Sequence, residues 1–189
     1  MLIERTNKYG IDKAIGNLQK WLYGKLVTTW ALDNTTEALY KCYPRCYRNQ
    51  SPEGGYIPEV KDNSNTSAYT EVLWDDKLIA LSFFHADQQM NFDAFATQDV
   101  AIIFFVNIES LKPGNERRDE EVRLDVMKWV EQNMYGFRFK RLTTGVKNVL
   151  KEYDGARVLN KDFEYKVDMH PYHCFRFDME LIYEPTQCY

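Results

Sequence analysis

Apolar positions along this chain follow two periods, and the switch between them separates helices from strands. In GIDKAIGNLQKWLYGK, residues Ile11, Ala14, Ile15, Leu18, Trp21 and Leu22 recur at steps of three and four, so they share one helical face. Gly24 is the expected stop, because glycine is favoured just past a helix end. DEEVRLDVMKWVEQNM predicts a second helix, with Val122, Val126, Trp129 and Val130 in one stripe. The acidic run Asp119, Glu120 and Glu121 opens it, where the helix dipole favours anions. A shorter third helix is expected around GVKNVLKEY.

The remaining apolar runs read as strands. YTEVLWDDKLIALSFFH predicts a hairpin turning at Asp75-Asp76, and VAIIFFVNI is an unbroken apolar run of the kind buried on both faces of a sheet. HPYHCFRFDMELIYE alternates: His173, Phe175, Phe177, Met179, Leu181 and Tyr183 face one way, and Cys174, Arg176, Asp178, Glu180 and Glu184 the other. That pattern predicts a half-buried strand, with Pro171 at its start. Two connections are long, residues 49–66 and residues 86–99. Connections of this length in a compact domain are usually functional or disordered. The second carries Met90, Phe92 and Phe95, which a purely solvated loop would not favour. These three are the candidate contacts with a neighbouring subunit or partner; the plainer reading is a loop folded back over its own core.

Taken together the elements predict an α+β fold: an antiparallel sheet flanked by two main helices, with long inter-strand loops. Its 189 residues suit one domain spanning 1–189. Aromatic content of 15% points to a dense core or to large interfaces. No charged leader with an apolar run opens the chain, and nothing approaches the roughly 20 apolar residues of a membrane span. The expectation is a protein neither exported by a visible signal nor embedded in a membrane.

A net charge of -4 argues against binding nucleic acid by neutralising phosphates. Residues 1–48 hold 8 Lys+Arg against 4 Asp+Glu, residues 49–110 hold 2 against 10, and residues 111–189 hold 14 of each. The bland reading is solvated loops; the sharper one is an acidic surface that meets a basic surface of the next copy or faces a DNA channel.

Catalytic patterns are few. There is no G-x-S-x-G, no phosphate-cradling glycine loop and no H-E-x-x-H. Asp33, Glu59 and Lys61 imitate the carboxylate and lysine set of metal-dependent nucleases, but Glu59 and Lys61 fall in a Pro/Asn-rich connection. His85 and Asp87 read as an ordinary strand end, and Asp75 and Asp76 as a turn. Cys42 and Cys46 flank Pro44 in an extended stretch, so roughly 13 Å separates them and they are expected to be free thiols. Cys174 and Cys188 show no pairing pattern. A composite zinc site from Cys42, Cys46, His170 and His173 lacks the short paired spacings of such sites. No catalytic, metal or cofactor-binding residue is therefore assigned.

The order helix, antiparallel strands, helix and terminal strand resembles the neck and tail-completion proteins of tailed bacteriophages. It is most similar to the ring proteins of the tail barrel in crAss-like phages. The segments carrying the likeness are ALYKCYPRCYRN, YTEVLWDDKLIALSFF, DVAIIFFVNIESLKP with DEEVRLDVMKWVEQ, and YHCFRFDMELIYE. The resemblance implies a tail-completion or tail-terminator-like fold in a structural virion protein. It implies partners among copies of itself, other tail rings and the portal, with DNA only passing through the lumen. It brings no catalytic residues. A single-partner adaptor using 86–99, or a divalent-metal nuclease using Asp33, Glu59 and Lys61, are the alternatives.

Overall fold

A computed structural model describes residues 1–6, 8–32, 39–61, 68–92, 95–114, 116–133, 136–155 and 160–183. In chain order the elements are α1 (Ile11–Thr29), β1 (Tyr40–Arg45), β2 (Tyr47–Gln50), β3 (Tyr56–Lys61), β4 (Tyr69–Glu71), β5 (Ala80–Phe92), β6 (Ala96–Asn107), α2 (Ile108–Leu111), α3 (Asp119–Gln132), β7 (Phe137–Thr144), α4 (Val146–Val149), α5 (Lys161–Asp168) and β8 (Tyr172–Tyr183). Five strands form the main sheet in the order β1-β5-β6-β8-β7, and β2-β3-β4 form a smaller one. The expected α+β character holds. The main sheet is mostly antiparallel, with one parallel pair, β1 with β5.

The two predicted main helices pack on one face of the main sheet. Ile15, Leu18, Leu22 and Leu26 of α1 and Val122, Val126 and Val130 of α3 meet Ile102, Phe104, Phe175 and Phe177. Phe104 and Phe175 are paired in register and their rings stack at 5.0 Å. Three indoles tie the helices together. Trp21 donates to the Trp129 carbonyl at 3.2 Å, Trp129 to Thr29 Oγ1 at 2.8 Å, and Trp30 to Asp125 Oδ2 at 3.1 Å.

Gly24 does not stop α1. A glycine inside a helix costs about 1 kcal/mol, while burying Leu26 beyond it contributes about 2 kcal/mol, so the apolar face carries the helix on. The stop comes at Ala31, whose φ of 50° lies in the left-handed region. Ala31 N–H bonds Thr28 O at 3.2 Å and Leu32 N–H bonds Val27 O at 3.0 Å, which closes the last turn in a Schellman arrangement.

Four other expectations are corrected. Asp75 does open a turn, with Leu78 N–H on its carbonyl at 2.9 Å, but no hairpin forms there. β4 pairs with β3 in the small sheet, while β5 belongs to the main one. Of residues 49–66, the described part is mostly the β2–β3 hairpin, not a loop. The described part of residues 86–99 is not a loop either: β5 and β6 run into it as paired strands, Met90 opposite Gln98 and Phe92 opposite Ala96. Lastly, β8 is buried on both faces over its first half, with Cys174 and Arg176 as covered as Phe175 and Phe177. It lies between β6 and β7, and α4 and α5 pack over the face that the alternation assigned to water.

Cys42, Cys46 and Cys174 are free thiols, as expected, and buried; Cys188 lies outside the described residues. Burial pushes the Cys42 thiol up to about 11. Among the described residues no helix is long and apolar enough to cross a membrane.

His173 sits on the helix-covered face, stacked on Phe175 at 5.3 Å, with no hydrogen-bond partner for its Nε2 among the described residues. Burial, helped by Arg123 on α3, pulls its pKa down to about 4. The folded form therefore resists a proton that the unfolded chain accepts below its ordinary 6.5, and stability falls as pH drops from 6.5 towards 4. Urea melts between pH 7 and 4 should show the wild type losing on the order of 2–3 kcal/mol more than His173→Phe. Parallel pH profiles for the two would refute the assignment. Ala31→Gly should stabilise by about 0.5 kcal/mol in the same assay, since glycine takes a positive φ without strain.

Candidate functional site

The second face of the main sheet is covered only at one end. Near Ala80, Val106 and Tyr172, the residues Leu81, Phe83, Ile103, Phe105 and Cys174 lie under Val146, Val149, Leu150 and Val167, with Val60, Val72 and Trp74 beside them. One row further along, the apolar floor gives way. His85 of β5, Ala101 of β6, Asp178 of β8 and Arg141 of β7 stand side by side in register. Here the sheet lies open to a cleft of about 880 Å³, walled on one side by Arg45 to Arg48 and on another by Lys151 and Glu152.

Two buried polar groups make the floor. Arg176, 4% exposed, donates to Asp178 at 2.6 Å, to the Val149 carbonyl at 3.1 Å, and to Glu152. Burial disfavours its charge, but Glu152 and Asp178 outweigh that and hold its pKa above the ordinary value. Burial likewise works against an ionised Asp178, yet Arg176 and Arg141 keep its pKa below the usual range. His85, 9% exposed, shares a hydrogen bond of 2.8 Å between Nδ1 and the Tyr153 hydroxyl. Burial lowers its pKa, so the imidazole is neutral at pH 7, and burial pushes the Tyr153 phenol far up. Cys46 also lines the cleft, but burial raises its thiol well above the usual value, which makes it a poor nucleophile. What this arrangement offers is oriented hydrogen bonding and positive charge.

Beyond the cleft, β5 and β6 run on to their hairpin end, here called the arm, with β8 paired along β6 as far as Ala96. β1 pairs with β5 only as far as Phe84, so from His85 onward that edge of β5 has no strand partner among the described residues. A bulge between Ala86 and Met90 sets Asp87 off the ladder, and the Gln98 amide donates to the Asp87 carbonyl across it. Bulges of this kind blunt an edge against indiscriminate pairing. Towards the hairpin end, Met90 is 39% and Phe95 49% exposed, as is Ile182 of β8, opposite Thr97, at 39%. The Phe92 side chain lies outside the described residues.

The other sequence candidates do not converge. Glu59 and Lys61 are on strand β3, not in a connection; Glu59 accepts from Asn49 at 2.7 Å, and Asp33 lies outside the described residues. Cys42 belongs to the helix-covered core and Cys46 to the opposite one. Three strand spacings, about 14 Å, separate β1 from the strand bearing His173. Among the described residues no group of three or more His, Cys, Asp or Glu could hold a metal ion. His85 and Asp87 share a strand but not a role: the imidazole is on the cleft floor and the carboxylate is exposed in the bulge.

Sequence reading missed the cleft because its parts lie 91 residues apart, from His85 to Arg176, with no local motif. One signal was present: Arg176 and Asp178 stand two residues apart on the same side of a strand, where opposite charges can pair. Compared with known proteins, the chain matches no family model, no curated sequence and no solved structure.

Arg176→Met should destabilise the fold by about 2–4 kcal/mol in chemical denaturation, less than a fully buried pair because Glu152 and Asp178 keep some solvent. Adding Glu152→Gln and Asp178→Asn should recover part of that loss; no recovery would mean that packing, not charge, is what Arg176 supplies.

Proposed function

We propose that this chain is a structural protein of a tailed-phage virion, assembling into a ring of the neck or tail barrel around the DNA channel. The observation that carries the reading is the β5–β6 arm with exposed Met90 and Phe95 at its end. Apolar side chains at the tip of a long hairpin gain nothing in water, and burial against a neighbour is the ordinary use of such a patch. A closed ring requires heterologous contacts, one patch against a different patch of the next copy, and the open β5 edge with its hairpin end meeting a neighbour's body satisfies that. Among the acidic residues of the middle segment, Asp75, Asp87 and Glu109 are exposed, and a lumen of that sign would let DNA pass without adhering. Other tail rings and the portal are the further partners of this reading.

The arm equally suits an adaptor that holds one partner, and assembly state separates the two. Light scattering and electron microscopy of the purified protein, alone and with other tail proteins, should show rings. Met90→Ser with Phe95→Ser should leave a folded monomer, with ring formation reduced at least tenfold. A wild type that stays monomeric with every tail protein and never enters virions would overturn the ring reading. Loss of binding to a single partner in that double variant would favour the adaptor.

A further inference from the structure

The cleft at the base of the arm has an electrostatic character opposite to that of the chain. Its lining includes six cationic side chains, Arg45, Arg48, Lys140, Arg141, Lys151 and Arg176, against the four carboxylates of Asp87, Asp99, Glu152 and Asp178, in a protein whose net charge is -4. Four of the cations are spoken for. Arg176 and Arg141 are held by Asp178, with Glu152 also on Arg176; Lys140 pairs with Asp99 at 2.6 Å, and Arg45 with Asp12 of α1 at 2.7 Å.

Arg48 and Lys151 differ. Among the described residues the Arg48 guanidinium has no carboxylate partner: its Nε donates to the Glu152 carbonyl at 2.7 Å, and its Cζ lies 3.4 Å from the centre of the Tyr56 ring. Lys151 has, among the described residues, a single loose pair, 3.8 Å to Glu152. The two cations stand on facing walls, yet the same short stretch after α4 holds both, above a floor in which His85 and Arg176 are already oriented. A guanidinium held over an aromatic ring keeps its remaining N–H groups available at little entropic cost. With a neutral imidazole on the floor and a volume within the usual range for small-molecule sites, the cleft suits a compact anion carrying several hydrogen-bond acceptors.

The geometry points to this cleft as a binding site for a phosphoryl group, held by Arg48 and Lys151 over the His85 and Arg176 floor. The site lies at the base of the arm and not at its tip, so a chain that never forms rings would still bind. The phosphoryl group can come from a free polyphosphate or from a nucleic-acid backbone, and the test uses both. Isothermal titration calorimetry of the full chain at low salt, with pyrophosphate, ATP and a short single-stranded oligonucleotide as separate titrants, should give saturable binding of one per chain to at least one of them. Tighter pyrophosphate or ATP identifies the free anion as the source, and binding to the oligonucleotide alone identifies the backbone. Arg48→Glu with Lys151→Glu, both exposed positions, should weaken that binding at least tenfold while leaving the thermal melt unchanged. Lys147→Glu, an exposed lysine outside the cleft, should not. Absence of saturable binding to all three titrants, or equal weakening by Lys147→Glu, would overturn the assignment.

Discussion

The length of the central strands relative to what covers them is the constraint from which the remaining features follow. β5, β6 and β8 are 13, 12 and 12 residues long, so each extends roughly 40 Å. On one face α1, with 19 residues and about 28 Å, lies beside α3 and covers most of that span. On the other, the covering helices are α4 with four residues and α5 with eight. Cover therefore runs out halfway along the sheet. The chain answers by changing the floor from Phe83, Ile103 and Phe105 to His85, Asp178 and Arg141 within one register step, and by letting the β5 edge run on to the hairpin end without a strand partner among the described residues.

That mismatch also explains which elements the sequence announced. Periodicity is a record of burial, so it is strong wherever burial is one-sided and regular. α1 and α3 press one stripe each into the core, and both were legible to within a turn, except that Gly24 looked like an end when Leu26 and Trp30 still had a face to bury. β6, sandwiched on both faces, read directly as an unbroken apolar run. β7 did not announce itself: FRFKRLTT is an edge strand with a bulge after Phe139, and four of its eight residues are exposed. The arm failed for the same reason, because strand pairing there is held by backbone bonds and a glutamine side chain instead of by apolar alternation.

The cleft was illegible for a different reason. Its floor is assembled by register, which brings His85 beside Ala101 and Ala101 beside Asp178, and register is a property of strand pairing that no single strand encodes. Ala101 shows the point well. As a residue in an apolar run it looks like minor filler; in the sheet its methyl leaves room between a histidine and an aspartate that a second isoleucine or phenylalanine would take up.

Charge supplies the last step. The division of the chain into a basic beginning, an acidic middle and a balanced end is only partly a surface feature, because Asp99 pairs with Lys140 and Asp76 with Lys166 inside the same molecule. The Arg176 network goes further, placing a guanidinium at 4% exposure in the same register row as Phe83 and Ile103. A buried ion pair of this kind contributes little over well-packed apolar groups of the same size, since desolvation offsets most of the attraction. Stability alone therefore gives no reason to keep it. An oriented, water-facing polar floor next to two under-neutralised cations gives such a reason, and it binds the fold's shortfall of cover to a chemical use of the surface left open.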